Sequence, residues 1–200
     1  MRRPALAGGE RGAALVEAAI VTPLVAAAVA AVVVVAVLWR DQLAVADAAA
    51  AGARTAALYP SATADDVSYR GVSLGPGTPR VLAAVAVALG GVPNAAVERV
   101  VIFGLPAGPP PTAAGVPRGC RHGDGPAAGD ACVVFDASAL ADPGAVPGCS
   151  PGACAWRDRP GVAVVGVLVR VRHPKSLGGL VPAPTLERVA LASLEGGPDA

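Results

Sequence analysis

Ala18-Ala19-Ile20-Val21-Thr22-Pro23-Leu24-Val25-Ala26-Ala27-Ala28-Val29-Ala30-Ala31-Val32-Val33-Val34-Val35-Ala36-Val37-Leu38 runs for 21 residues without a charge, between Glu17 and Arg40. Coiled as a helix it is about 30 Å long, the thickness of a bilayer's hydrocarbon core. A helix satisfies every backbone polar group internally, as lipid requires. A core helix with no polar face would need apolar cover on all sides, which one small domain does not provide. The stretch therefore reads as a single transmembrane helix over 13–38. Arg2, Arg3 and Arg11 stand before it against Glu10 alone, whereas Arg40 and Asp41 cancel behind it. The positive flank stays in the cytoplasm, so the N-terminus is expected inside and the remainder outside.

Composition narrows the rest. Of 200 residues, 54% are apolar and 3% aromatic, with 25 Gly and 20 Pro. Sixteen basic side chains, all but one of them Arg, face fifteen acidic ones for a net charge of +1. These values exclude a disordered polyampholyte, a collagen and a highly charged nucleic-acid binder. With one spanning segment, a polytopic membrane protein is excluded as well. The Ala, Gly, Pro and Arg bias is that of a GC-rich genome.

Three fates are open to the N-terminus. An ordinary signal peptide has a shorter apolar stretch, although Ala44-Val45-Ala46 imitates its small-x-small site. An uncleaved anchor needs only the positive flank. The third fate is set by Arg11-Gly12-Ala13-Ala14-Leu15-Val16-Glu17, a basic leader (1–12) that ends in Gly, with a lone acid five residues on. Acids in spanning helices carry a function and a partner. Cleavage after Gly12 would give Ala13 a free ammonium one helical turn from Glu17, able to neutralise it within one chain or between packed neighbours.

The stretch Gly12-Ala13-Ala14-Leu15-Val16-Glu17-Ala18-Ala19-Ile20-Val21-Thr22-Pro23-Leu24-Val25 resembles the start of TadE-like proteins, pseudopilin-like components of the tight-adherence (Flp) pilus system. Gly12, Glu17 and Pro23 match the family pattern; Ala18 stands where the family carries Phe or Tyr. The resemblance implies processing by a prepilin-type peptidase between Gly12 and Ala13, and other Tad/Flp assembly proteins as partners. Pro23, tolerated in a membrane helix, is expected to kink it near Ala19. A helical stalk follows over 39–58, and its Gly52-Ala53-Arg54 reproduces a family signature whose small residues suit a helix-packing seam.

Beyond the stalk, 59–200 reads as one small extracytoplasmic domain. Ser61 to Thr78 is a polar, Gly/Pro-rich connection. Thr78-Pro79 opens a helix to about Leu89, with Thr as cap. Val97–Phe103, Cys132–Phe135, Val162–Arg172 and, least distinctly, Leu186–Leu194 read as strands. Helices first and strands later predict an α+β fold, a helix packed on an antiparallel sheet of about four strands.

Cys120, Cys132, Cys149 and Cys154 all follow the span, and an even number in an exported region predicts disulfides, with three pairings open. Proximity in sequence favours Cys120–Cys132 and Cys149–Cys154. Zinc, with His122 beside Cys120, is disfavoured because C-x₂-C spacing is absent. His173 closes a strand before Pro174 and reads as structural, and Asp65-Asp66 as solvated. Gly71-Val72-Ser73-Leu74-Gly75 fits the G-x-S-x-G pattern, yet Asp65-Asp66-Val67-Ser68-Tyr69-Arg70 is too polar for the buried strand that must precede a nucleophile elbow, and Pro76-Gly77 interrupts the helix that must follow. No phosphate loop or dinucleotide fingerprint occurs. The expectation is a non-enzymatic pseudopilin-like protein of the cell membrane, without cofactor, nucleic acid or small-molecule substrate. The rivals are an uncleaved anchor carrying a disulfide-bonded binding domain and an anchored hydrolase using Ser73.

Overall fold

The computed structural model describes residues 9–58, 67–69, 72–74, 77–90, 96–106, 116, 120–121, 132–141, 161–173 and 184–194. The chain divides into two compact units, Met1–Asp41 and Gln42–Ala200. The fold is α+β, with a long N-terminal apolar helix, a second helix and a four-stranded antiparallel sheet.

In the first unit, helix α1 (Gly9–Leu58) begins its 50 residues. Ala, Leu and Val fill most of its positions; Ala and Leu are strong helix formers, and no turn residue competes between Leu24 and Leu38. Pro23 lacks the N–H that would reach the Ala19 carbonyl, and the helix runs through it without a break.

The second unit starts with the last turns of α1. Val45, Ala48, Ala49, Gly52, Ala53 and Ala56 are buried there, a stripe at helical spacing. Small side chains bring the backbone close to its neighbours. A Cβ on Gly52 would stand 2.7 Å from Val85 Cγ2 and 3.1 Å from Val167 Cγ1. The Gly52-Ala53 seam thus packs inside this one unit, against helix α2 (Gly77–Leu89) and strand β5 (Val162–Arg172). Helix α2 buries Val81, Leu82, Val85 and Leu89. It begins one residue before Thr78, so Pro79 falls in the first turn, where the lost N–H would have had no helical partner. Gly77, expected to interrupt the start of a helix, is its first residue, and Pro76 lies outside the described residues.

Between the helices, the expected plain connection contains a hairpin of β1 (Val67–Tyr69) and β2 (Val72–Leu74). β-Formers on either side of Arg70-Gly71 give the reason. Ser73 lies mid-strand in this hairpin, paired with Ser68.

The main sheet has the order β4-β3-β5-β6, all antiparallel, from β3 (Ala96–Pro106), β4 (Cys132–Phe135), β5 and β6 (Thr185–Ser193). Its inner face, bearing Val100, Ile102, Val133, Phe135, Val165, Val167, Val169 and Val171, joins the core made by α1, α2 and the short α3 (Ala137–Ala141). A second cluster on the outer face holds Val101, Phe103, Val116, Cys120, Cys132 and Leu168. Cover on both faces explains why residues 165–169 are buried without alternation. Phe103 lies over Gly166, where a Cβ would collide with its ring and stand 2.8 Å from Leu191 Cδ2.

Helix α3 is capped by Asp136, whose Oδ1 accepts from Ser138 N at 2.9 Å, Ser138 Oγ at 2.5 Å and Ala139 N at 3.3 Å. The Ser138 hydroxyl, more than these amides, holds the carboxyl below the ordinary carboxylate range, against a smaller desolvation effect. Asp136→Ala is expected to lower stability by about 1 kcal/mol at neutral pH. Because the folded value is the lower one, the carboxylate's contribution is complete above its unfolded pKa and disappears as pH falls through the native one. Melting curves of the two proteins should accordingly converge in strong acid.

Candidate functional site

Two regions concentrate the unusual chemistry. The first is α1 ahead of the second unit. Leu15–Leu58 is a helical stretch long and apolar enough to cross a membrane, and no residue of its most apolar window is buried. Leu15, Ile20, Leu24, Val29, Val32 and Val35 all face outward, and Trp39 is 66% exposed. Gly12 and Ala13 lie in the first turns of α1, and Glu17 is exposed one turn beyond Ala13. Residues four apart share a helix face, so the helix places position 13 and Glu17 on one side. The imitation signal site at Ala44-Val45-Ala46 has a different fate. Val45 is fully buried in the core of the second unit, so cleavage behind Ala46 would remove a core side chain.

The second region is one end of the main sheet. All its strand charges gather there: Glu98 and Arg99 on β3, Arg170 and Arg172 on β5, Glu187 and Arg188 on β6. Register brings them level, with Arg99 opposite Arg170 and Arg170 opposite Glu187. A bulge between Val97 and Arg99 sets two residues against Arg170. Such an insertion re-aims side chains. Val97 keeps its place at the inner core, while Glu98 reaches the outer face, pairing Arg170 Nε at 2.9 Å and Arg172 Nη2.

Arg121 completes this lattice from outside the sheet. Its Nη2 and Nε approach Glu187 Oε1 at 2.7 and 2.9 Å, and its carbonyl accepts from Arg99 Nη1 at 2.7 Å. At the inner face, Arg188 Nη2 donates to Gln42 Oε1 at 2.8 Å and Nη1 to the Glu187 carbonyl at 3.1 Å. Half-exposed pairs like these contribute about 0–1 kcal/mol each. Their consequence is positional: on the outer face Arg99, Arg121, Arg170 and Arg172 gather about Glu98 and Glu187, with Arg188 across the sheet beside Gln42.

The disulfide holds the covering segment in place. Cys120 is bonded to Cys132 across a Cα–Cα distance of 6.5 Å, as the favoured pairing expected. It ties the segment to edge strand β4, while the adjacent Arg121 ties it to the opposite edge strand, β6. The Cys120→Ser/Cys132→Ser double variant should lose about 3 kcal/mol, the loop-entropy value for a separation of this size. Urea unfolding with and without dithiothreitol checks it: reduction should lower the parent midpoint by more than that of the variant, which keeps only Cys149 and Cys154. The Cys149–Cys154 pairing, His122 and the Asp65-Asp66 pair lie outside the described residues.

Among the described residues, no three His, Cys, Asp or Glu side chains converge as metal ligands. His173 is buried at the end of β5, and its backbone N–H donates to the Pro184 carbonyl at 3.0 Å. Sequence reading placed the strands that carry Glu98, Arg99, Arg170 and Arg172, but missed Arg121, Glu187 and Arg188 as their neighbours. The Glu187-Arg188 pair was the available signal, obscured because that segment suited a helix equally. Comparison with protein-family models, with curated proteins and with solved structures returned no match.

Proposed function

We propose that this protein is a single-pass membrane protein of the TadE-like, pseudopilin type, acting in Tad/Flp pilus assembly without catalysis of its own. One observation carries the reading: a single uninterrupted helix is apolar and buries no residue through 18–38, then contributes a buried stripe from Val45 to Ala56 to a folded core. A mere signal sequence would not build the core of the domain it exports. The Arg-rich leader keeps the N-terminus in the cytoplasm and puts 42–200 outside, where the Cys120–Cys132 bond is chemically at home.

In this reading the peptidase cuts between Gly12 and Ala13. The new ammonium and Glu17 then neutralise each other on one helix face, lowering the cost of carrying the acid into the bilayer. Packed subunits would use the same pair to fix their axial register. The domain outside meets other assembly proteins.

Intact-mass measurement on the protein from the membrane fraction of a host carrying a prepilin-type peptidase tests this reading. A chain starting at Ala13 is expected, and Gly12→Asp should keep the leader on. A chain starting at Met1 in the parent protein would contradict the pseudopilin reading and favour the uncleaved anchor.

A further inference from the structure

We propose that the Arg-rich end of the sheet docks on anionic phospholipid headgroups at the membrane surface. The inference rests on the anchoring proposed above and adds a lipid partner to it.

Chain reach supplies the first step. Trp39, at the close of the apolar run, is the residue type that settles at the water boundary. Gln42 follows three residues later, and three residues extend at most about 11 Å. Whatever angle the two units adopt, Gln42 stays near the interfacial layer, which is roughly 5–7 Å deep on each side of a bilayer. Arg188 is hydrogen-bonded to Gln42 at 2.8 Å, so its guanidinium is held in the same zone.

Sheet register supplies the second. Arg188 stands opposite Val169, and Arg170 and Arg172 stand opposite Glu187 and Thr185. The strand ends gathered there belong to the chain level with Gln42, and they bear all the sheet's charges. At the opposite end, where Leu191, Ala192 and Ser193 border Arg54, Ala57 and Leu58, the strands have none. Arg40 and Asp41 cancel each other, and among the described residues of the sheet end and Arg121, five arginines stand against Glu98 and Glu187. Arg172 retains 60% side-chain exposure although it pairs with Glu98. Guanidinium forks match phosphate oxygens in a bidentate way, and basic groups close to an anionic surface add their attractions. A surface held beside lipid by its own tether, with the sheet's arginines gathered at the tethered end, fits lipid phosphate better than a soluble polyanion.

Arginine footprinting with phenylglyoxal, an uncharged reagent, tests the proposal on the full chain reconstituted in vesicles and read by peptide mass spectrometry. Arg172 and Arg188 should react about fivefold more slowly in phosphatidylglycerol-rich vesicles than in pure phosphatidylcholine, the effect of one basic group's attraction. High salt should erase the difference, and exposed Arg54 and Arg80 should not change. Equal rates at Arg172 and Arg188 in both vesicles, with the protein still carbonate-resistant, overturn the docking and leave the anchoring intact. Carbonate release from both vesicle types overturns anchoring and docking together. Equal protection by inorganic phosphate over neutral vesicles overturns the commitment to lipid.

Discussion

Phe103→Ala is expected to lower the stability of the second unit by about 3–5 kcal/mol, within the range for a large aromatic removed from a core. Whole domains are stable by only about 5–15 kcal/mol, so this variant should be close to unfolded at body temperature. Phe103 is among the largest fully buried side chains, and it belongs to the small outer cluster with Val101, Val116, Cys120, Cys132 and Leu168. Few other groups can collapse into the space it leaves. Gly166 sharpens the test because its missing side chain makes room for the ring. Gly166→Ala alone should cost about 1–3 kcal/mol by overpacking. In Gly166→Ala/Phe103→Ala the new methyl has space, so the double variant should lose less than the two single losses together. Urea midpoints followed by far-ultraviolet circular dichroism give all three values. A Phe103→Ala loss below about 1 kcal/mol would mean that the ring is not buried as described.

Val25→Arg/Val29→Arg is the second large effect. Each Arg at mid-membrane costs about 2.5–3.5 kcal/mol on insertion scales, so the pair should cost about twice that. Both positions lie near the middle of the uncharged run, out of reach of either headgroup layer for an unstrained side chain. The variant should move from the membrane fraction to the soluble or aggregated fraction. Val87→Arg is the matched control, since Val87 is 81% exposed on α2, outside the apolar run. It should change neither partitioning nor stability.

Much of this fold was legible because its signals are local. An uncharged apolar run, an Ala-rich continuation and β-branched strands each declare an element within about ten residues. Cys132–Phe135 and Val162–Arg172 coincide with the strands observed. Where the cause is non-local, sequence reading fell short. Leu186 to Leu194 suits a helix by composition, and only pairing with β5 together with burial of Leu186 makes Thr185–Ser193 a strand. The bulge at Glu98 depends on what lies across from it, so spacing within β3 alone does not reveal it. The hairpin at 67–74 was hidden by polar neighbours.

The candidate site divides in the same way. Gly12, Ala13, Glu17 and Pro23 stood out because their pattern is contiguous. Gly52 was noticed for its smallness, but whether it faced another subunit or its own domain could be decided only by the positions of Val85 and Val167. The arginine lattice draws on residues from 99 to 188, a separation that no local pattern spans. Arg121 is the clearest case: nothing in its neighbourhood except Cys120 hints that it will bridge to Glu187 on the far edge strand.

Alkaline carbonate extraction of membranes from cells expressing the full-length chain is the most direct measurement. It strips proteins held by charge or by partners but leaves those with a helix in the bilayer. The chain should stay wholly in the pellet, while Val25→Arg/Val29→Arg is lost from it. Recovery of the unaltered chain in the supernatant as a folded monomer would contradict the membrane-spanning helix on which the pseudopilin reading and the lipid docking both depend.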